Sequence, residues 1–214
     1  MRVVLASFSL FLLLVGVPAT SQAPPAADQL ARQLQSHYDQ VKDFRADFTQ
    51  SFRGTALPQQ TTERGKVMVK KPYRMRWTYT APEKKELVTD GSQIWDYRPV
   101  DRVVLVRPLP KEGEASTALL FLAGRGNLTR DFAVSMPAAQ PEGEWHLSLV
   151  PKSPQADFTS LTVQVDRRSM ALRGLVKIDE TGTWSYKFVN LEENVGLADK
   201  SFFFTPPAGV EIIR

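Results

Sequence analysis

Between Gly65 and Tyr79 the chain alternates with period two. The odd positions Val67, Val69, Tyr73, Met75, Trp77 and Tyr79 are apolar or aromatic, while Lys66, Lys70, Arg74 and Arg76 are polar and Met68 is the exception. Such alternation marks a half-buried strand, because successive side chains leave on opposite faces of a sheet. Lys71-Pro72-Tyr73 divides the run into two strands, about 64–71 and 74–80, since proline cannot donate to a ladder. If the parity is carried through that turn, Lys71 becomes the one cation on an otherwise greasy face.

A helical period comes before it. Leu30, Leu34, Tyr38 and Val41 recur at three- and four-residue spacing, with Ala27 and Ala31 alongside and Arg32, Gln35 and Asp39 opposite. The spacing predicts an amphipathic helix over Ala26–Val41, with Asp28 placed to favour its N-terminus. Strand signals then dominate. Phe44, Ala46, Phe48 and Phe52 alternate with Arg45, Asp47, Thr49 and Ser51. Glu86–Thr89 runs into Asp90-Gly91, a dipeptide suited to a tight hairpin, and Ile94–Tyr97 and Arg102–Arg107 continue the meander. Nothing between Phe44 and Arg107 leaves room for a crossover helix, so neighbouring strands should be antiparallel.

Ser116–Ala123 has another texture. Its sequence STALLFLA can be capped by Ser116 or Thr117 and ended by Gly124, and it is apolar on nearly all sides, which predicts a short helix buried on more than one side. Strands resume over Phe132–Met136, Trp145–Leu149, Leu161–Val165, Met170–Ile178 and Trp184–Phe188. The Phe202–Phe204 tail is expected to end the sheet, and Val210 and Ile212 are available for an edge. The total is about eleven strands and two or three short helices, mainly β with an α lid. A sheet this wide curls or closes, and the helices must cover its concave side. Large wall side chains can fill that space themselves or line a ligand cavity. Lys71 is correspondingly either a turn lysine in water or an ammonium at the cavity rim. A buried ammonium needs acceptors, and the unpartnered carbonyls at the end of the short helix near Ala123 are the nearest expected.

The N-terminus changes the picture. Arg2, an apolar run from Val3 to Val17 and then small residues and prolines read as a secretory signal peptide over 1–23, with cleavage between 19 and 27. The run is short for a membrane span of roughly 20 residues. One domain is expected over 24–214. The chain has no cysteine, so the exported product has neither disulfides nor a lipid-modified N-terminal cysteine. Formal charge is +4, or +3 without Arg2, too weak a balance to argue for nucleic acid. His37 and His146 are the two histidines, both placed on polar faces. No nucleophile elbow, phosphate loop or metal-ligand set occurs, so neither catalysis, metal nor cofactor is expected.

Taken together, several short matches resemble the LolA family, periplasmic carriers of outer-membrane lipoproteins. They are Phe44-x-Ala46-x-Phe48-x-Gln50, Gly65, Lys71-Pro72 with Arg76-Trp77 and Pro82, and Val88-x-Asp90-Gly91-x-x-Ile94-Trp95-x-Tyr97-x-Pro99. The Leu119-Leu120 helix, Leu149-x-Pro151 and Phe202-x-Phe204-x-Pro206-x-x-Gly209-Val210 complete the set. The resemblance implies an incomplete, half-open antiparallel barrel of eleven strands under a helical lid. It implies a monomer that accepts acylated lipoproteins from an inner-membrane ABC-type release complex and delivers them to an outer-membrane lipoprotein receptor. On this reading Leu30, Leu34, Tyr38, Leu119, Leu120 and Leu122 form the lid. Phe48, Val69, Met75, Trp77 and Tyr79 form the acyl-chain wall, and Lys71 is the lid latch. The family latch is an arginine, so lysine here offers three donors without the flat fork. Met75 stands where the family often has an aromatic residue. Two other readings share the fold: a periplasmic lipid or glycolipid carrier, and a lipoprotein-sensing regulatory module.

Overall fold

The protein is described by a computed structural model covering residues 25–56, 60–109, 126–153 and 158–214. The predicted first helix forms as α1 (Ala27–Gln40) and buries Leu30, Ala31, Leu34 and Tyr38. Six strands follow: β1 (Asp43–Gly54), β2 (Gln60–Lys70), β3 (Arg74–Ala81), β4 (Lys85–Asp90), β5 (Gln93–Arg98) and β6 (Val103–Pro108). A four-residue helix, α2 (Leu128–Asp131), leads into β7 (Phe132–Ser135), β8 (Glu144–Pro151), β9 (Ser160–Asp166), β10 (Leu172–Asp179) and β11 (Gly182–Glu193). A 3₁₀ turn at Asp199–Phe202 precedes β12 (Glu211–Ile213). The expected helix over Ser116–Ala123, with Leu119, Leu120 and Leu122, lies outside the described residues.

Among the described residues all twelve strands belong to one sheet, in the order β12-β6-β5-β4-β3-β2-β1-β11-β10-β9-β8-β7. The sheet stays open, ending on β12 at one side and β7 at the other. Its centre is β1, twelve residues long, which pairs antiparallel with β2 and with β11. β1 to β11 are antiparallel to their neighbours, as the turn-rich sequence requires. β12 departs from that rule and runs parallel to β6, with Glu211 opposite Val103 and Ile213 opposite Leu105. The tail reaches this edge after crossing the sheet and not through a hairpin, and a crossing connection allows the parallel direction.

Two cores form on opposite sides of the sheet. The main one gathers Phe44, Phe48, Val67, Val69, Met75, Trp77 and Tyr79 with Leu147, Leu149, Leu161, Val163, Leu175, Tyr186 and Phe188, beneath the apolar stripe of α1. The smaller lies on the outer face of β4–β6. There Val88 pairs with Trp95, Trp95 with Val106, and Tyr97 with Val104. Phe202 is fully buried, and the Phe204 ring packs at a tilt against Trp95 and Tyr97, with centroids 5.8 and 5.6 Å away. The Phe202–Phe204 segment therefore does not end the sheet as expected. It straps across the outer face without pairing, and the alternation read from it survives as Phe203 facing solvent.

Candidate functional site: an apolar wall under a tethered helix

Pairing registers explain how the wall is assembled. Phe48 of β1 lies opposite Gly65 of β2, and Gly65 opposite Tyr79 of β3. Because Gly65 has no side chain, the rings of Phe48 and Tyr79 meet across it edge-to-face at 5.0 Å. Val67 faces Trp77 and Val69 faces Met75. Trp77 is the largest fully buried side chain, with Phe48 edge-on at 4.8 Å and Tyr186 and Phe188 of β11 at 5.7 and 6.2 Å. Phe48, Val69, Met75, Trp77 and Tyr79 thus share one surface. That surface continues onto β11 through the Phe48–Phe188, Gln50–Tyr186 and Phe52–Trp184 registers. The Trp184-Tyr186-Phe188 alternation was visible in the sequence. Its place in the wall depended on the β1–β11 pairing, which lies more than a hundred residues away along the chain.

α1 lies over this surface and packs against α2, β7 and β8. Leu30, Leu34 and Tyr38 enter the same buried cluster as the wall. Gln35 accepts the Leu128 backbone N–H at 2.9 Å, which ties α1 to α2, and Asn127 caps α2 through the amides of Thr129 and Arg130. His37 and His146, placed on polar faces by the sequence, pair with Glu193 at 3.1 Å and Glu144 at 3.0 Å. Each gains its carboxylate from a chain neighbour or strand end that spacing alone does not place.

Lys71 stands at the β2–β3 turn, where the parity carries it to the α1 side. Its ammonium donates to the Tyr38 carbonyl in the last turn of α1 and sits 3.5 Å from the centroid of the Tyr38 ring. Its own N–H donates to Lys42 O at 2.9 Å, which binds the turn to the α1–β1 link. A cation at a helix C-terminus also meets the negative end of the helix dipole. Burial pushes the Lys71 ammonium down to about 8, against the pull of Asp39 and Glu193. Among the described residues the acceptor belongs to α1, and the segment near Ala123 expected from the sequence lies outside them. The end of any helix has carbonyls without partners, and spacing alone does not place the end of α1 above the turn.

The far end of the wall carries a polar chain not foreseen in the sequence. Tyr79 donates its hydroxyl to Gln50 Oε1 at 2.9 Å, and Gln50 donates to Glu63 at 2.8 Å. Lys85 pairs with Glu63 at 2.6 Å and lies over the Tyr79 ring. Burial, the largest influence, pushes the Tyr79 hydroxyl above its ordinary range, as does nearby negative charge. The arrangement can offer an apolar surface between two polar rims. Among the described residues no cluster of three or more metal-ligating His, Asp or Glu side chains occurs, and no helix is long and apolar enough to cross a membrane.

Comparison with known proteins places this geometry. The family model described as "Outer membrane lipoprotein carrier protein LolA" matches residues 39–205. An outer-membrane lipoprotein carrier protein of Nitrosomonas europaea is 31% identical over 89% of this chain and 91% of its own length. That of Chromohalobacter salexigens is 31% identical over 94% and 92%. A crystal structure of an uncharacterized conserved protein from Thermus thermophilus shares the fold, with a TM-score of 0.55 at 13% identity, covering 88% of this chain and 98% of that one. With a wall, a covering helix and a family match over most of its length, the chain belongs to the LolA family of outer-membrane lipoprotein carrier proteins.

Proposed function

We propose that the protein is a periplasmic carrier of acylated lipoproteins. It receives them from an ABC-type release complex of the inner membrane and hands them to an outer-membrane lipoprotein receptor, as a monomer, without catalysis or cofactor. Residues 1–23 act as the export signal and are removed, leaving one carrier domain. Lys71 is the latch, Leu30, Leu34 and Tyr38 belong to the lid with Leu119, Leu120 and Leu122, and Phe48, Val69, Met75, Trp77 and Tyr79 receive the acyl chains.

One observation carries this reading. An open sheet presents a continuous apolar and aromatic face, and the helix above it is held at its last turn by a charged side chain from the sheet. In the closed form the wall is covered, so cargo enters by displacing the α1 side chains. A charged-donor hydrogen bond contributes about 1.5–3 kcal/mol net, small enough for incoming chains to offset. Burying an acyl chain yields about 0.8 kcal/mol per CH₂. Three chains of ordinary length therefore oppose release into water by tens of kcal/mol. Cargo passes directly from one apolar cleft to the next.

The test is displacement. Purified protein should bind a hydrophobic fluorescent probe, and a purified lipoprotein should displace it; failure to bind any such probe would sink the carrier reading. Mass spectrometry of material copurifying from the periplasm should show acylated peptides. Glycolipid or hopanoid in their place would move the protein to a different cargo class.

A further inference from the structure

Three buried side-chain nitrogens lack a hydrogen-bond partner among the described residues: Arg74 Nε, Trp77 Nε1 and Trp184 Nε1. Arg74 belongs to the polar parity of β3, and Trp184 is only half-buried. Trp77 differs from both, being 0% exposed in the middle of the wall. An apolar side chain there would fill the space without a stranded donor, and a buried donor without an acceptor is costly. The rings of Phe48, Tyr186 and Phe188 can take the hydrogen only as a weak N–H···π contact. Val67 and Leu87, its cross-strand partners, offer only aliphatic side chains. A water held at this point would need two to four polar partners, and these neighbours do not supply them. The polar groups nearest along the strand are already engaged, since Tyr79 donates to Gln50 and Gln50 to Glu63.

We propose that the Trp77 indole N–H is the wall's acceptor-reading group, donating to the ester carbonyl of a glyceryl-linked acyl chain. The inference rests on the carrier reading and adds a chemical preference to it. Acyl esters bring acceptors and no donors into an apolar cleft, which is the complement of a lone buried N–H. Trp77 lies two residues from Tyr79, about 6.8 Å along the strand. The ester linkage is therefore held one pleat inside the rim formed by Tyr79, Gln50, Glu63 and Lys85. The peptide end of the cargo faces that rim, and the hydrocarbon runs toward Met75 and α1.

The test compares two synthetic lipopeptides, one with a diacylglyceryl group in ester linkage and one with the same chains in ether linkage. Full-length mature protein should bind the ester probe about tenfold more tightly, a difference of one hydrogen bond. The indole ¹⁵N–¹H resonance of Trp77 should shift downfield with the ester probe alone. In Trp77→Phe the ratio of ester to ether affinity should shrink to less than about twofold, whatever the loss of affinity common to both probes. Should that variant fail to fold, the wild-type comparison and the indole resonance decide by themselves. Equal binding of both probes without an indole shift overturns this inference and leaves the carrier intact, as does an ester preference that survives in Trp77→Phe. Binding of neither probe removes both.

Discussion

At Lys71 a single amine couples helix docking to pH. Its titration falls to about 8 in the closed form, from an ordinary 10.5, because burial disfavours the charge more than Asp39 and Glu193 favour it. The facing groups are Tyr38, Asp39, and Glu193 with its partner His37. Below pH 8 the closed and unfolded forms are both protonated, and the burial penalty is present in full. Between about 8 and 10.5 the unfolded chain holds more protons, so stability rises with pH across that window. Relative to Lys71→Met, the wild-type Tm should climb from pH 8 to 10.5; a flat difference would place the amine in bulk solvent. Gly65 is a second decisive residue. A Cβ there would lie 2.1 Å from Thr78 O, so Gly65→Ala should cost about 1–3 kcal/mol in denaturant unfolding. At this scale the sequence was informative about faces and poor about partners. Parity located Lys71, Met75 and Trp77, whereas the acceptor of Lys71 and the Gln50–Glu63 chain come from residues brought together only by folding.

Among the elements, the C-terminal strap shows how a pattern can be right and its use misread. Arg76 of β3 donates through Nε to Ser201 O at 2.7 Å and through Nη2 to Phe203 O at 2.9 Å, and also pairs with Glu86. Lys70 reinforces it through Leu197 O at 2.7 Å and Asp199 at 2.6 Å. Buried Asp43 accepts the amides of Gly196 and Leu197 at 3.1 and 3.0 Å. Arg76→Ala should therefore free the strap and cost about 2–3 kcal/mol, since it removes charged-donor bonds. Limited proteolysis after residue 197 should accelerate, while α1 amides keep their protection. The cations at even positions of β2 and β3 read as a solvated strand face. Two of them, Lys70 and Arg76, hold backbone carbonyls of the tail. Ile212 advertised a strand but not its direction, because alternation is the same for parallel and antiparallel pairing. The helix α1, by contrast, was legible almost residue for residue, since the 3.6 period depends on neighbours alone.

For the molecule as a whole, the proposed carrier role makes covering by α1 and binding of cargo compete for one surface. On that proposal, removing the Lys71–Tyr38 bond leaves cargo contacts in place but weakens the empty closed form. Lys71→Leu should therefore hold lipoprotein about tenfold more tightly and transfer it more slowly, measured as the release rate of a labelled lipoprotein to outer-membrane vesicles. Wild-type release from that variant would reduce Lys71 to a turn residue. The open sheet of mainly antiparallel strands was readable from turn chemistry and strand count. Its central pairing of β1 with β11, which makes one wall of two distant halves, was not.

The strap gives the sheet two unlike halves. β3 and β4 send Met75, Trp77, Tyr79 and Leu87 into the main core, and the outer face of β4–β6 lies under Phe202 and Phe204. From β7 to β10 the outer face carries Ser148, Thr162, Gln164 and Arg173, with no second layer among the described residues. A shell stiffened on one flank yields on the other, so a bulky guest should spread the β7–β10 flank while the strapped flank serves as its anvil.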